Sequence, residues 1–282
     1  MIEVFLLVIA LIWLIFASVS DFKTREVPDW LSYSLIAIGF SSALLKSIVF
    51  KDLSVFYSVF AFGIMFLVSL LLYYTKQWGG GDVKLLIGLF TLFPIYPLEL
   101  LKYFNPNLQL PFILIFLINL AIIGAIYSLF YGGYLLIKNK INLVSETKKY
   151  KMHKSFVYFP LLLLLISIIV QDVIIKLLLL SLGFIILVTP ILFIYIKIIE
   201  NKCMFKKINV NSLTEGDWIT HNIYYKGKLI YNKNSPGVVK KDIDLLKKIK
   251  IRYVIVKEGI PFIPSFLIAF IITIIFGNLL RI

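Results

Sequence analysis

Long apolar runs separated by short polar breaks set the pattern of the chain. The hydrocarbon core of a bilayer, roughly 30 Å thick, takes about 20 apolar residues in a helix. Windows of that kind fall near residues 3-20, 30-49, 55-75, 111-137 and 262-280. A shorter one at 83-98 runs into Phe93-Pro94-Ile95-Tyr96-Pro97, where proline is expected to tilt or break the helix. Residues 155-199 are too long for one crossing and are interrupted by Gln171, Asp172 and Lys176, so two helices joined by a tight polar turn are expected. The pattern therefore predicts an all-α polytopic membrane protein of about eight transmembrane helices, with a small α+β cytoplasmic domain inserted before the last helix.

That inserted domain occupies residues 200-258, where the pattern changes. Trp218-Ile219-Thr220-His221-Asn222-Ile223-Tyr224 and Lys228-Leu229-Ile230-Tyr231 read as two strands, with Lys226-Gly227 as the turn between them. Residues 240-249 carry apolar positions at helical spacing, and Tyr253-Val254-Ile255-Val256 reads as a further strand. The expected organisation is a five-helix membrane core at 1-137, a basic loop at 138-154, a transmembrane hairpin at 155-199, the soluble domain at 200-258 and a closing helix at 259-282. The first apolar run lacks the basic lead-in of a signal peptide, because Glu3 precedes it and Lys23 and Arg25 follow it; a retained helix is expected.

Composition agrees with a membrane solvent. The 282 residues are 60% hydrophobic and only 16% charged, and the mean hydropathy is +0.95; soluble domains carry about 25% charged residues. A net charge of +14 could suggest nucleic acid, but its distribution favours a cell-membrane protein facing anionic lipid on one side. With the N-terminus outside, the inside loops are those near 21-29, 76-84, 138-154 and 200-258. The third holds Lys138, Lys140, Lys148, Lys149, Lys151 and Lys154, and the fourth holds 13 Lys or Arg against 6 Asp or Glu. This positive-inside bias supports the orientation, and the partners it implies are anionic membrane lipids and no nucleic acid. The single cysteine, Cys203, excludes an internal disulfide and zinc sites built on paired cysteines. His153 and His221 are isolated, so no metal and no cofactor are expected.

Among the 15 acidic residues, Asp21 and Asp82 stand apart because each abuts an apolar run with no polar spacer. Asp21 ends the first helix and Asp82 begins the fourth. Two crossings separate them, which returns the chain to the same face, so the two carboxylates can meet at the cytoplasmic boundary. Close carboxylates in a poorly hydrated site share one proton. The ionised member can deprotonate a water attacking a peptide carbonyl while the protonated member donates to the carbonyl oxygen, which is aspartic proteolysis. A helix N-terminus favours an anion, which points to Asp82 as the charged member. Gly79, Gly80 and Gly81 would let the backbone take conformations closed to other residues and let a substrate strand approach; the alternative is a permissive inter-helix turn.

Gly79-x-Gly81-Asp82 matches the Gly-x-Gly-Asp signature of polytopic aspartic membrane peptidases, and Asp82-Val83-Lys84-Leu85 continues as in the type IV prepilin peptidase branch. Residues 18-30, from Ser18 through Asp21 to Pro28 and Trp30, resemble the first-aspartate segment of that branch. The resemblance covers about residues 1-135. The chain lacks the paired cysteines of many bacterial members, and so resembles an archaeal prepilin or preflagellin (archaellin) peptidase without N-methyltransferase activity. The resemblance implies Asp21 and Asp82 as the catalytic pair, Gly79 and Gly81 as the active-site loop, and pilin-like or archaellin precursors as substrates, cut between a short charged leader and a hydrophobic helix. Glu26 and Asp29 are candidate contacts for a basic leader. The rival readings are a presenilin-like intramembrane aspartic protease and a non-enzymatic transporter or scaffold. Presenilin-like enzymes place a tyrosine before the first aspartate, where this chain has Ser20, and Pro264-Ser265-Phe266 stands in the last helix in place of a Pro-Ala-Leu triplet.

Overall fold

The computed structural model describes residues 2–75, 77–150, 155–235 and 237–280. The chain divides into two units, one of Met1–Leu129 with Lys207–Ile282 and one of Phe130–Lys206.

The first unit is built on a helical bundle of α1 (Ile2–Thr24), α2 (Asp29–Phe50), α3 (Ser54–Tyr74), α4 (Gly80–Leu92), the first part of α5 (Phe112–Lys138) and, at the other end of the chain, α10 (Ile263–Phe276). Helices α1, α2, α3 and α5 are each long and apolar enough to cross a membrane. Helix α4 has 13 residues, shorter than the expected 83-98. Pro94 offers no N–H and restrains Phe93 away from helical geometry, so the chain leaves the helix after Leu92 and passes through a 3-10 turn at Leu98–Lys102. Helix α10 also falls short of the expected 262-280, because Gly277 takes a left-handed φ of 70° and closes its C-terminus.

In lipid, apolar faces gain nothing by leaving the solvent, so close packing and buried polar contacts hold helices together. The bundle shows both. A Cβ at Gly39 would lie 2.8 Å from the Leu92 backbone nitrogen, and one at Gly88 would lie 2.9 Å from the Leu35 Cβ; only glycine lets α2 and α4 approach this far. Trp13 Nε1 donates to Ser34 Oγ at 2.7 Å and ties α1 to α2. Ser69 Oγ donates to the Val83 carbonyl at 3.2 Å and ties α3 to α4. Asn119 Nδ2 donates to Thr273 Oγ1 at 2.9 Å and to the Gly277 carbonyl at 2.8 Å, which fixes α5 to α10. Phe90, Phe116, Phe266 and Phe270 are fully buried between these contacts.

The strand-containing part of this unit has its own apolar core, including Val210, Ile219, Tyr231, Leu246 and Val254. Strands β1 (Phe205–Asn209), β2 (Trp218–Ile219) and β5 (Tyr253–Lys257) form one sheet in the order β1-β5-β2. Strands β3 (Ile223–Tyr225) and β4 (Lys228–Tyr231) form a separate hairpin around Lys226-Gly227, the turn read from the sequence. The expected single strand over 218-224 is two strands. Thr220 donates its N–H to the Ile255 carbonyl at 3.0 Å and ends the pairing with β5, after which Ile223 turns to face Tyr231. Helix α9 (Lys240–Lys248) buries Ile243 and Leu246 and exposes its lysines. Strand β1 was not foreseen, since Phe205-Lys206-Lys207-Ile208-Asn209 has too little apolar alternation to signal one.

The second unit holds the end of α5, the short α6 (Leu143–Thr147), and an antiparallel pair, α7 (Ser155–Ile169) and α8 (Val173–Ile199). Asp172 caps α8 by accepting from the Ile175 N–H at 2.9 Å, so the polar turn between these helices also starts the second one. Helix α8 with the π turn after it is long and apolar enough to cross a membrane, whereas α7 has 15 residues. Of the basic loop, Lys149 pairs with Glu146 at 2.6 Å; Lys151, His153 and Lys154 lie outside the described residues.

Candidate active site

Asp21 and Asp82 are 61 positions apart in the sequence, and the fold brings them to one end of the bundle. Each lies within electrostatic range of the other. Asp21 sits in the last turn of α1 and is only 5% exposed. Arg25 follows at a left-handed φ of 61°, and its N–H donates to the Asp21 carbonyl at 3.0 Å. The helix stops there, and the chain reverses within four residues into α2. Ser20 and Thr24 brace that reversal, both donating their hydroxyls to the Glu26 carbonyl, at 2.9 and 3.3 Å.

Asp82 stands in the first turn of α4 and is half-buried. Its Oδ2 accepts the Gly79 N–H at 3.2 Å, so the carboxylate caps its own helix and leaves its other oxygen uncommitted to that cap. Gly79 has φ −72° and ψ 162°, and neither Gly80 nor Gly81 takes a positive φ. The expectation that these glycines supply conformations closed to other residues is therefore corrected: their backbone is ordinary. What Gly81 supplies is room. A Cβ there would meet the Val27 Cβ at 3.0 Å and the Val27 nitrogen at 3.2 Å, and Val27 is buried in the loop that follows Asp21. Gly81 thus sets the close approach of the two aspartate-bearing segments. Gly79 meets only the Asp82 carboxylate, at 3.6 Å.

A third element joins them. The Ile263 N–H, at the start of α10, donates to Asp21 Oδ2 at 2.9 Å. Both carboxylates therefore face a helix N-terminus, which removes the asymmetry that the sequence suggested in favour of a charged Asp82. Trp78, immediately before the glycines, lies 5.7 Å from the Phe262 ring and 5.2 Å from the Phe266 ring. The sequence reading gave the Ile263 N–H no part in the site, because a backbone donor leaves no side-chain signature. The one available hint was the aromatic and proline-rich run Pro261-Phe262-Ile263-Pro264.

Of the candidate leader contacts, Asp29 is engaged by Lys84, whose Nζ lies 2.6 Å from Asp29 Oδ1. The pair joins the start of α2 to α4, and Lys84 is thereby directed to Asp29. Glu26 is exposed and lies within electrostatic range of Asp217 in the strand-containing region. Burial pushes the Asp217 carboxyl above its ordinary value of 3.8, against the hydrogen bonds from Thr214. Among the described residues no three His, Cys, Asp or Glu side chains gather as a metal would require. An open cleft of about 390 Å³ is lined by Glu3, Lys46 and Glu99 among others. It lies at the opposite end of α1, about 27 Å from Asp21 by helical rise, and so is separate from the paired carboxylates.

Comparison with known proteins covers the stretch that carries both aspartates. Residues 8–129 match the family model described as the type IV leader peptidase family. A preflagellin peptidase of Methanococcus maripaludis is 32% identical over 136 residues, 48% of this chain and 59% of that protein. A prepilin peptidase of Methanothermobacter thermautotrophicus is 28% identical over 153 residues, 51% of this chain and 39% of the other. A preflagellin peptidase of Methanococcus voltae is 28% identical over 141 residues, 50% of this chain and 60% of that protein. The chain thus spans about half the length of the curated relatives it matches. No solved structure matches it. Over residues 8–129, the stretch that carries both Asp21 and Asp82, this chain is similar to the type IV leader peptidase family.

Proposed function

We propose that the chain is a membrane aspartic endopeptidase that removes the short charged leader from pilin-like or archaellin precursors at the cytoplasmic membrane face, without methylating the new N-terminus. The observation that supports this reading is that Asp21 and Asp82 lie within electrostatic range of each other, in the stretch similar to leader peptidases.

Two neighbouring carboxylates that share one proton form an acid and a base at the same site. The ionised carboxylate takes a proton from a water as its oxygen attacks the scissile carbonyl carbon, and the protonated carboxylate donates to the carbonyl oxygen. The tetrahedral diol then collapses: a carboxylate takes back a hydroxyl proton, the C–N bond breaks, and the nitrogen leaves with a proton from the other carboxyl. The two groups exchange roles between the steps, and both end in their starting states. Asp82, the more exposed of the two, is the one open to water and substrate. The buried Asp21, held by a backbone donor, is the fixed partner.

A site at the end of the bundle suits a substrate whose hydrophobic helix lies in the membrane and whose leader lies outside it, since the bond between them then sits at the depth of the carboxylates. The exposed Glu26 is the available acidic contact for a basic leader, with Asp29 already paired to Lys84. The purified full chain in detergent is expected to cut a precursor with a short basic leader at the leader–helix junction, read by mass spectrometry of both products. Asp21→Asn and Asp82→Asn should each reduce the rate by about 10³-fold or more. Cleavage at the wild-type rate by either variant would refute the pair.

A further inference from the structure

We infer that the first turn of α10 is a positioning element of the active site: the Ile263 backbone N–H orients the Asp21 carboxylate, and Phe262 couples that donor to the loop that carries Asp82. This inference rests on the peptidase reading and assigns a role to residues far outside the stretch similar to leader peptidases.

The geometry is specific. Asp21 Oδ2 accepts from Ile263 at 2.9 Å across 242 residues of sequence. A carboxylate that is 5% exposed has few waters to set its orientation, so a fixed backbone dipole does so. The donor is itself held in place. The Phe262 ring packs so closely on Gly124 of α5 that a Cβ there would lie 2.6 Å from it. The ring also meets Trp78, 5.7 Å away between ring centroids, the residue immediately before Gly79. The Ile263 side chain is fully buried, and Pro264 stiffens the start of the helix. One aromatic ring thus joins α5, the glycine loop of Asp82 and the N–H that holds Asp21. Upstream, only Glu258 to Phe262 separate this turn from β5, so the strand-containing region feeds straight into it.

The test deletes the donor and keeps the side chain. Cell-free translation of the full chain into lipid nanodiscs, with the α-hydroxy analogue of isoleucine at position 263, replaces the amide N–H by an ester oxygen. The expected result is a fall in kcat of about 10- to 100-fold, as for loss of one hydrogen bond to a charged group, with KM within about twofold and the pH profile of kcat displaced by about one pH unit. One control separates positioning from folding. The same ester at Leu267, which removes an ordinary intrahelical bond, should leave kcat and the pH profile in place. Wild-type kcat and pH profile in the 263 ester, or equal displacement by the 267 ester, would overturn the inference while leaving the peptidase reading intact. Absence of cleavage by the wild-type chain, or activity retained in Asp21→Asn, would overturn both.

Discussion

Helices α1 and α8 have the same peak hydropathy, 2.8, yet 28% of that window is buried in α1 and 6% in α8. Hydropathy separates membrane from water, and here it cannot separate a closely packed helix from a loosely packed one. What differs is the distribution of small and polar residues. In the bundle, Gly39, Gly88, Ser34, Ser69 and Asn119 each meet another helix. In the α7–α8 pair, Ile168 and Ile169 are 72% and 81% exposed, and the partners meet through Gly183 against Leu164. Since lipid is as apolar as leucine, an exposed isoleucine there costs nothing, and close packing needs residues that let backbones approach. The region that packs is also the region that holds both aspartates.

The difference can be broken first at the point where packing and chemistry meet. Gly81→Leu drives a side chain into Val27 and separates the two aspartate segments. Cleavage should fall by about 10²-fold, the loss expected from a small misplacement of reacting groups, with a stability loss of about 1–3 kcal/mol from overpacking. A variant that unfolds less readily and cleaves normally would show that Val27 does not set the spacing. Next comes stability alone. Leu86→Ala in α4, fully buried, should cost about 2–5 kcal/mol in mixed-micelle unfolding, whereas Leu177→Ala in α8, 60% exposed, should cost less than about 0.5 kcal/mol. Equal costs would mean that the hairpin is packed against a surface of its own in the bilayer.

The smallest effect concerns Asp217, in the strand-containing region. Its folded-state pKa is raised by burial, so the native state binds the proton more readily than the unfolded chain does. Stability should therefore fall as pH rises from the ordinary value of 3.8 through the raised one, and stay level above it. Asp217→Asn keeps an acceptor for the Thr214 N–H, at 2.9 Å in the wild type, and should flatten this dependence with a slight gain at neutral pH. Thermal melting followed across pH 3 to 8 reads it, and an unchanged slope would assign the dependence to another group.

Much of this was legible in the sequence, for physical reasons. Asp21 and Asp82 were visible because a charge directly against an apolar run is costly and therefore informative, and counting crossings put them on one face. The β3–β4 hairpin was visible in Lys226-Gly227. Three things were not. Gly81 was visible as a glycine, yet its role depends on Val27, a neighbour 54 positions away, and not on its own φ. Lys84 stands two positions after Asp82 in sequence but reaches Asp29 in space. The third element, α10, reaches Asp21 through a backbone N–H that any residue but proline would offer, so the sequence could not mark it.

The central claim is that Asp21 and Asp82 act as one unit, and a comparison of kcat/KM for Asp21→Asn, Asp82→Asn and the double variant on one precursor tests it most directly. Groups that act together lose their function together, so the double variant should be no slower than the slower single variant. Losses that multiply, or a single variant that retains most of its activity, would contradict a shared two-carboxylate site.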